Sequence, residues 1–232
     1  SGPMNSDIVL WLVQDGITNG AIYGLLALGL LLVFAVTRII FIPQGEFISY
    51  AALSLALLQD GRLPGTVFVL VGGGVVAAVF DIILAVREKA LGRLPRIVAV
   101  YVLLPAAMAA IAWWAAPRKP DLWLQVLIVM GLVVPLGPIL YRIAYQPLAN
   151  ASVLVLFIIS MAAHYVLTGL GLVFFGGEGL RSSAFSDAQF QWGVLNITAQ
   201  SLWVVFASLV LMVGLWAFFE HTIWGKALRA TA

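Results

Sequence analysis

Long apolar runs recur along the chain, each close to the length that crosses a bilayer. A transmembrane helix needs about 20 mostly apolar residues to traverse a hydrocarbon core of about 30 Å. Residues 17–36, 66–86, 97–116, 122–141, 152–174 and 201–219 meet that demand as ordinary helices. Among them only 66–86 carries a charged residue, Asp81, while 152–174 is uncharged with His164 near its middle. A seventh run, 39–58, has the right length but is interrupted by Pro43-Gln44-Gly45-Glu46. Proline removes a backbone donor and clashes with the preceding turn, and glycine loosens the backbone beside it. The pattern predicts an all-α, polytopic transmembrane helix bundle of about seven spans, one of them a broken or kinked helix.

Composition narrows the class further. Of 232 residues, 63% are hydrophobic and 9% charged, and the mean hydropathy is +1.08. An ordinary soluble domain carries about 25% charged residues, so this chain could not coat a soluble surface. Disordered and collagenous classes are excluded by the same figures. Cysteine is absent, which removes disulfides, thiol nucleophiles, Fe–S clusters and Cys-based zinc sites. A net charge of +2, spread along the chain, gives no case for nucleic acid as a partner. Residues 1–232 are expected to form a single transmembrane domain, with Ser1-Gly2-Pro3 ahead of Met4 set aside as a protease-cleavage scar.

The few basic residues set an expected orientation, since cytoplasmic loops carry an excess of Lys and Arg. Arg87, Lys89, Arg93 and Arg96 share one short loop, which belongs inside. Alternating from there places Arg38, Arg142, Lys226 and Arg229 inside and Arg62, Arg118, Lys119 and Arg181 outside. The N-terminus is then outside and the C-terminus cytoplasmic.

No catalytic constellation stands out. His164 and His221 lie in different segments, no Gly-rich loop precedes a Lys-Ser/Thr pair, and no ligand cluster is spaced for a metal. The chain is expected to be no enzyme, with neither metal site nor cofactor. Gly72-Gly73-Gly74 reads as a face where helices approach closely, as does the Gly20/Gly24 pair. Asn19 beside that pair reads first as a packing contact and second as a solute contact. Gln44, Gly45 and Glu46 carry two even readings. Discontinuous helices expose backbone groups that can line a solute path; the same residues could equally be a plain cytoplasmic turn before a short helix. An ionisable group inside a span is a functional candidate by default. Asp81, however, lies near the basic loop and is expected to pair with Arg87 or Lys89. His164 is expected to be a neutral histidine bonded between helices, with a proton relay as the second reading. Residues 176–193 are polar, glycine-rich and placed outside, read either as a plain loop or as the surface that receives an external partner, and the Asn196-Ile197-Thr198 sequon carries little weight. Residues 220–232 form a basic, small-residue stretch suited either to anionic lipid or to docking against a soluble partner.

Three of these segments, in order, resemble one family: the permease subunits of branched-chain amino acid ABC importers. Asn19-Gly20-Ala21-Ile22-Tyr23-Gly24-Leu25-Leu26-Ala27-Leu28-Gly29 is similar to that family's opening helix. Pro43-Gln44-Gly45-Glu46-Phe47 resembles its Ala-Gln/His-Gly-Glu element, and Thr222-Ile223-Trp224-Gly225-Lys226-Ala227-Leu228-Arg229-Ala230 its cytoplasmic coupling segment. Tyr145-Gln146-Pro147-Leu148 resembles the family's Tyr-Arg-Pro-Leu. The resemblance implies a permease in a bacterial inner membrane, paired with a second, similar permease as a homo- or heterodimer. Its other implied partners are cytoplasmic ATPase subunits, where ATP is hydrolysed, and a periplasmic solute-binding protein. It implies a translocation path near Asn19, Gln44, Gly45 and Glu46, and ATPase coupling through Trp224, Gly225, Lys226, Ala227, Leu228, Arg229 and Ala230. The chain departs from the pattern in having Phe41-Ile42-Pro43 where the family often has Asn-Phe-Ala, and in two extra spans between Arg87 and Arg142. Family members usually continue past the coupling segment, so the chain is expected to be a permease truncated at its C-terminus. The competing expectation is a membrane-embedded structural or assembly protein that transports nothing.

Overall fold

A computed structural model of the chain describes residues 3–192, 195–221, 225–226 and 230. Seven helices carry the fold. They are α1 (Pro3–Thr37), α2 (Gln44–Gln59), α3 (Thr66–Arg87), α4 (Leu91–Arg118), α5 (Leu122–Leu148), α6 (Val153–Phe175) and α7 (Ala199–His221). A hairpin of β1 (Gln189–Trp192) and β2 (Leu195–Thr198) precedes α7, antiparallel, with Phe190 opposite Ile197. All the helices except α2 are long and apolar enough to cross a membrane. The protein is an all-α, membrane-embedded, multi-pass bundle.

The chain divides into two compact units, residues up to 41 with those from 184 onward, and residues 42–183. In the first unit α1 packs along α7. Gln14 Nε2 donates to the Asn196 carbonyl at 3.3 Å, joining α1 to the hairpin, and Thr198 and Ser201 hydroxyls meet at 2.8 Å where β2 turns into α7. The helix α1 runs well past the expected 17–36. Asp15 does not end it, because an exposed carboxylate within a helix costs little unless it is forced into hydrocarbon.

The second unit holds α2 to α6 around Leu58, Leu70, Ala77, Ala112, Ala115 and Leu132, all fully buried. Its outer surface is apolar as well: Phe68, Val76, Trp113, Leu127, Val166 and Val173 are all more than half exposed. That inversion suits a bilayer, where lipid tails are as apolar as leucine and helices associate through close packing of small residues. Gly74 shows how close the packing is. A Cβ there would overlap the Tyr101 carbonyl oxygen. That carbonyl lies four residues before Pro105, which has no N–H to give it. The backbone from Ala99 to Leu103 is a π-type turn, and only glycine lets α3 come against it. Gly73 lies 3.2 Å from Ile139 by the same measure, so both glycines pack against neighbouring helices. In α5, Pro135 separates two α-helical pieces, Leu122–Val133 and Leu136–Leu140, and a second π-type turn follows at Tyr141–Tyr145. Tyr145 is buried there, its hydroxyl 2.8 Å from Ser160 on α6.

Candidate functional site

The interrupted run resolves into a shortened helix. Residues 38–43 are not helical, and α2 begins at Gln44, capped by Pro43. Both Glu46 N and Phe47 N donate to the Pro43 carbonyl, at 3.0 and 3.2 Å. Sixteen residues make about 24 Å of helix, short of the roughly 30 Å of a hydrocarbon core. The 23 residues of α6 make about 34 Å and suffice.

The contacts between α2 and α6 fix where the short helix starts. Glu46 Oε1 lies 2.8 Å from His164 Nδ1, and His164 is the twelfth of the 23 residues of α6. One turn later, Tyr50 donates its hydroxyl hydrogen to the Leu167 carbonyl at 2.5 Å. Its ring packs on Gly171, where a Cβ would sit 3.1 Å away, and faces Phe175 at 5.6 Å. Contacts advance in the same direction along both helices, so α2 runs parallel to the second half of α6. Its N-terminus therefore stands level with the middle of α6. A further turn on, Ser54 and Thr66 hydroxyls meet at 2.6 Å in the interior and tie α2 to α3.

At that level the side chains form a small polar cluster. The Glu46 carboxylate is 15% exposed and the His164 ring 31%. Thr168 gives its hydroxyl hydrogen to the His164 carbonyl at 2.9 Å while standing 3.4 Å from Glu46 Oε1. The imidazole approaches at ion-pair distance, but its N–H is not aligned as a hydrogen bond. Glu46 Oε2 is buried with no hydrogen-bond partner among the described residues. Leaving a buried carboxylate oxygen unmet is costly, so this atom is an acceptor in want of a donor. Glu46 sits in the first turn of α2, where the helix dipole favours negative charge. Gly45 is exposed and a Cβ added to it would meet nothing within 4 Å, so the backbone of that first turn is open. Gln44 is half-buried and engaged in an interaction of its own.

The other expected site residues lie elsewhere. Asn19 is on α1, in the first unit, exposed and without a hydrogen bond among the described residues. Gly20 has open space around it, and Gly24 approaches only Met212 Sδ of α7, at 3.8 Å. Of the coupling residues, Gly225 and Lys226 are helical, Gly225 buried and Lys226 exposed, and Ala230 is exposed. A Cβ on Gly225 would overlap the backbone of Phe218 and Phe219 near the end of α7. Trp224, Ala227, Leu228 and Arg229 lie outside the described residues.

Asp81 differs from expectation. Its carboxylate is held by the Arg142 guanidinium from α5, not by Arg87 or Lys89, with side-chain exposures of 14% and 18%. The Arg142 Nε also donates to Asp81 Oδ1, and its guanidinium stands 5.6 Å over the Phe80 ring. Arginine's fixed fork engages one carboxylate through two nitrogens, which a nearby lysine could not do. Among the described residues no group of three or more potential metal ligands gathers.

One sequence signal for this site goes beyond the Gly-Glu element. Glu46, Tyr50 and Ser54 recur every fourth residue, a polar stripe down one face of an apolar helix. Each member finds its partner on α6 or α3. No protein-family model, curated protein or solved structure matches the chain.

Proposed function

We propose that the chain is the membrane-spanning permease subunit of an ABC importer for branched-chain amino acids or a related small polar solute. The observation that carries the reading is the shortened helix α2, which starts level with the middle of α6 and carries Glu46 with one oxygen unmet among the described residues. Discontinuous helices whose ends meet at mid-membrane are how transporters place backbone and charge along a solute path. Non-helical backbone at such a depth is tolerated only against protein or a water-filled cavity. The resemblance of Pro43-Gln44-Gly45-Glu46-Phe47 and of residues 222–230 to the importer permeases supports the same reading.

In this account Gln44, Gly45 and Glu46 border the path, with His164 and Thr168 opposite, and Asn19 is a further contact. The segment from Trp224 to Ala230 receives the ATPases. The partners are two cytoplasmic ATPase subunits, a second permease and a periplasmic solute-binding protein. The membrane is the bacterial inner membrane, with the N-terminus outside. The test is solute uptake by the reconstituted complex. Glu46→Gln keeps the shape and removes the charge; uptake should fall while assembly with the ATPases persists. Full uptake in Glu46→Gln would sink the assignment of this cluster to the path.

A further inference from the structure

A cavity of about 360 Å³ opens between the end of α3, the start of α4 and the last turns of α5. It lies in the second unit, at the other end of α3 from Thr66, and none of Glu46, His164 and Thr168 lines it. Leu84, Ile97 and Val100 give it an apolar wall, and Arg93, Arg96, Arg142 and Tyr101 give it a polar rim together with Asp81 and Glu88.

The charges there do not cancel. The lining holds three cations (Arg93, Arg96, Arg142) against two acids, Asp81 and Glu88, and Arg87 and Lys89 follow close by in the chain. Arg142 is engaged by Asp81. Arg93 reaches Glu88 at 3.2 Å, but both side chains are mostly exposed, 69% and 58%, and such a pair is readily exchanged for a better acceptor. Arg96 has no ion-pair partner among the described residues, and the Tyr101 hydroxyl has no hydrogen bond there. A free guanidinium beside a free phenol is a donor set for a phosphate, which arginine grips through two N–H groups. The apolar wall beneath is of no use to a free ion, but it suits the hydrocarbon that a lipid phosphate brings with it.

We propose that this cavity binds the phosphate headgroup of an anionic glycerophospholipid. Arg96 and Tyr101 donate to the phosphate, Arg93 turns to it from Glu88, and Leu84, Ile97 and Val100 lie against the first methylenes of the acyl chains. Basic pockets between membrane helices hold anionic headgroups in this way. The inference is independent of what the protein transports.

The experiment titrates the purified full chain, in a neutral detergent, with phosphatidylglycerol, phosphatidylcholine or inorganic phosphate, and counts bound lipid by native mass spectrometry. Saturable phosphatidylglycerol binding is expected, with phosphatidylcholine weaker and excess inorganic phosphate unable to displace the lipid. Arg96→Gln should weaken phosphatidylglycerol binding by about fivefold, the worth of one basic residue near an anionic headgroup. Arg87→Gln removes the same charge from the end of α3, outside the cavity lining, and should change binding by less than about twofold. Equal losses in the two variants would show diffuse surface attraction and overturn the site. Displacement by inorganic phosphate, or equal binding of phosphatidylcholine, would overturn the lipid assignment. Should Arg96→Gln fail to fold, Tyr101→Phe removes only the hydroxyl; unchanged binding in that variant contradicts the phosphate contact.

Discussion

Two carboxylates in the same helical unit, equally hidden, have been given opposite surroundings. Asp81 and Glu46 are 14% and 15% exposed. Asp81 lies near the end of α3 and receives two guanidinium nitrogens from Arg142, whose long side chain starts a few residues from the end of α5. Glu46 lies level with the middle of α6, meets a histidine and a threonine that also serves a backbone carbonyl, and keeps one oxygen without a partner among the described residues. Burial alone therefore does not separate a structural tie from a functional group. The partner does: Asp81 is matched by a guanidinium, as a bundle contact would be, whereas Glu46 Oε2 is fully buried and meets no donor among the described residues.

That contrast can be broken in descending order of effect. Asp81→Asn leaves the Arg142 guanidinium short of its counter-charge in a mostly buried place, and should cost about 3 kcal/mol in unfolding of the detergent-solubilised protein. Adding Arg142→Gln to that variant should restore much of the loss, since the stranded charge goes with it; no restoration would mean that the pair does not act as a unit. Glu46→Gln should instead spare stability to within about 1 kcal/mol and lower solute uptake by about tenfold, the scale of one lost charge-assisted hydrogen bond. A stability loss as large as that of Asp81→Asn would erase the distinction between the two carboxylates. Tyr50→Phe takes one hydroxyl from the seam between α2 and α6, where the Leu167 carbonyl loses a side-chain donor. It should cost about 1 kcal/mol in the same unfolding measurement, interhelical hydrogen bonds in membranes being modest. Arg93→Gln breaks the exposed pair with Glu88 and should change stability by less than about 0.5 kcal/mol.

Much of the architecture is legible in the chain because the bilayer constrains it. An uncharged run of about 20 residues is long enough to span hydrocarbon and too apolar to face water, and every helix of the fold corresponds to one of the seven apolar runs. The short length of α2 is half legible. Pro43 and Gly45 announce a break, yet the level at which α2 starts depends on contacts with α6, 118 residues further along at His164. The Asp81–Arg142 tie is not legible for the same reason: the nearest cations, Arg87 and Lys89, lie on the same helix end, while the actual partner arrives through packing of α5. The hairpin leaves a trace, in which Phe190 and Trp192 alternate with Gln189 and Gln191, although glycine-rich polar sequence around it reads as loop. The π-type turn at Ala99–Leu103 is tied to Pro105, but which small residue would fill the space beside it, Gly74, only the packing reveals.

The central claim is that the first turn of α2 borders an aqueous path at mid-membrane, and the absence of cysteine from the chain makes it directly measurable. Gly45→Cys would be the sole thiol, at a position with room for it. In the proposed importer, assembled in membranes, a water-soluble, membrane-impermeant thiol reagent should modify Gly45→Cys, and saturating solute should slow the reaction. Val166→Cys, two residues from His164 on α6 and 60% exposed toward the apolar surroundings, should stay unmodified. Equal silence at both positions would contradict the account, because the turn of Gln44, Gly45 and Glu46 would then face hydrocarbon or packed protein instead of water.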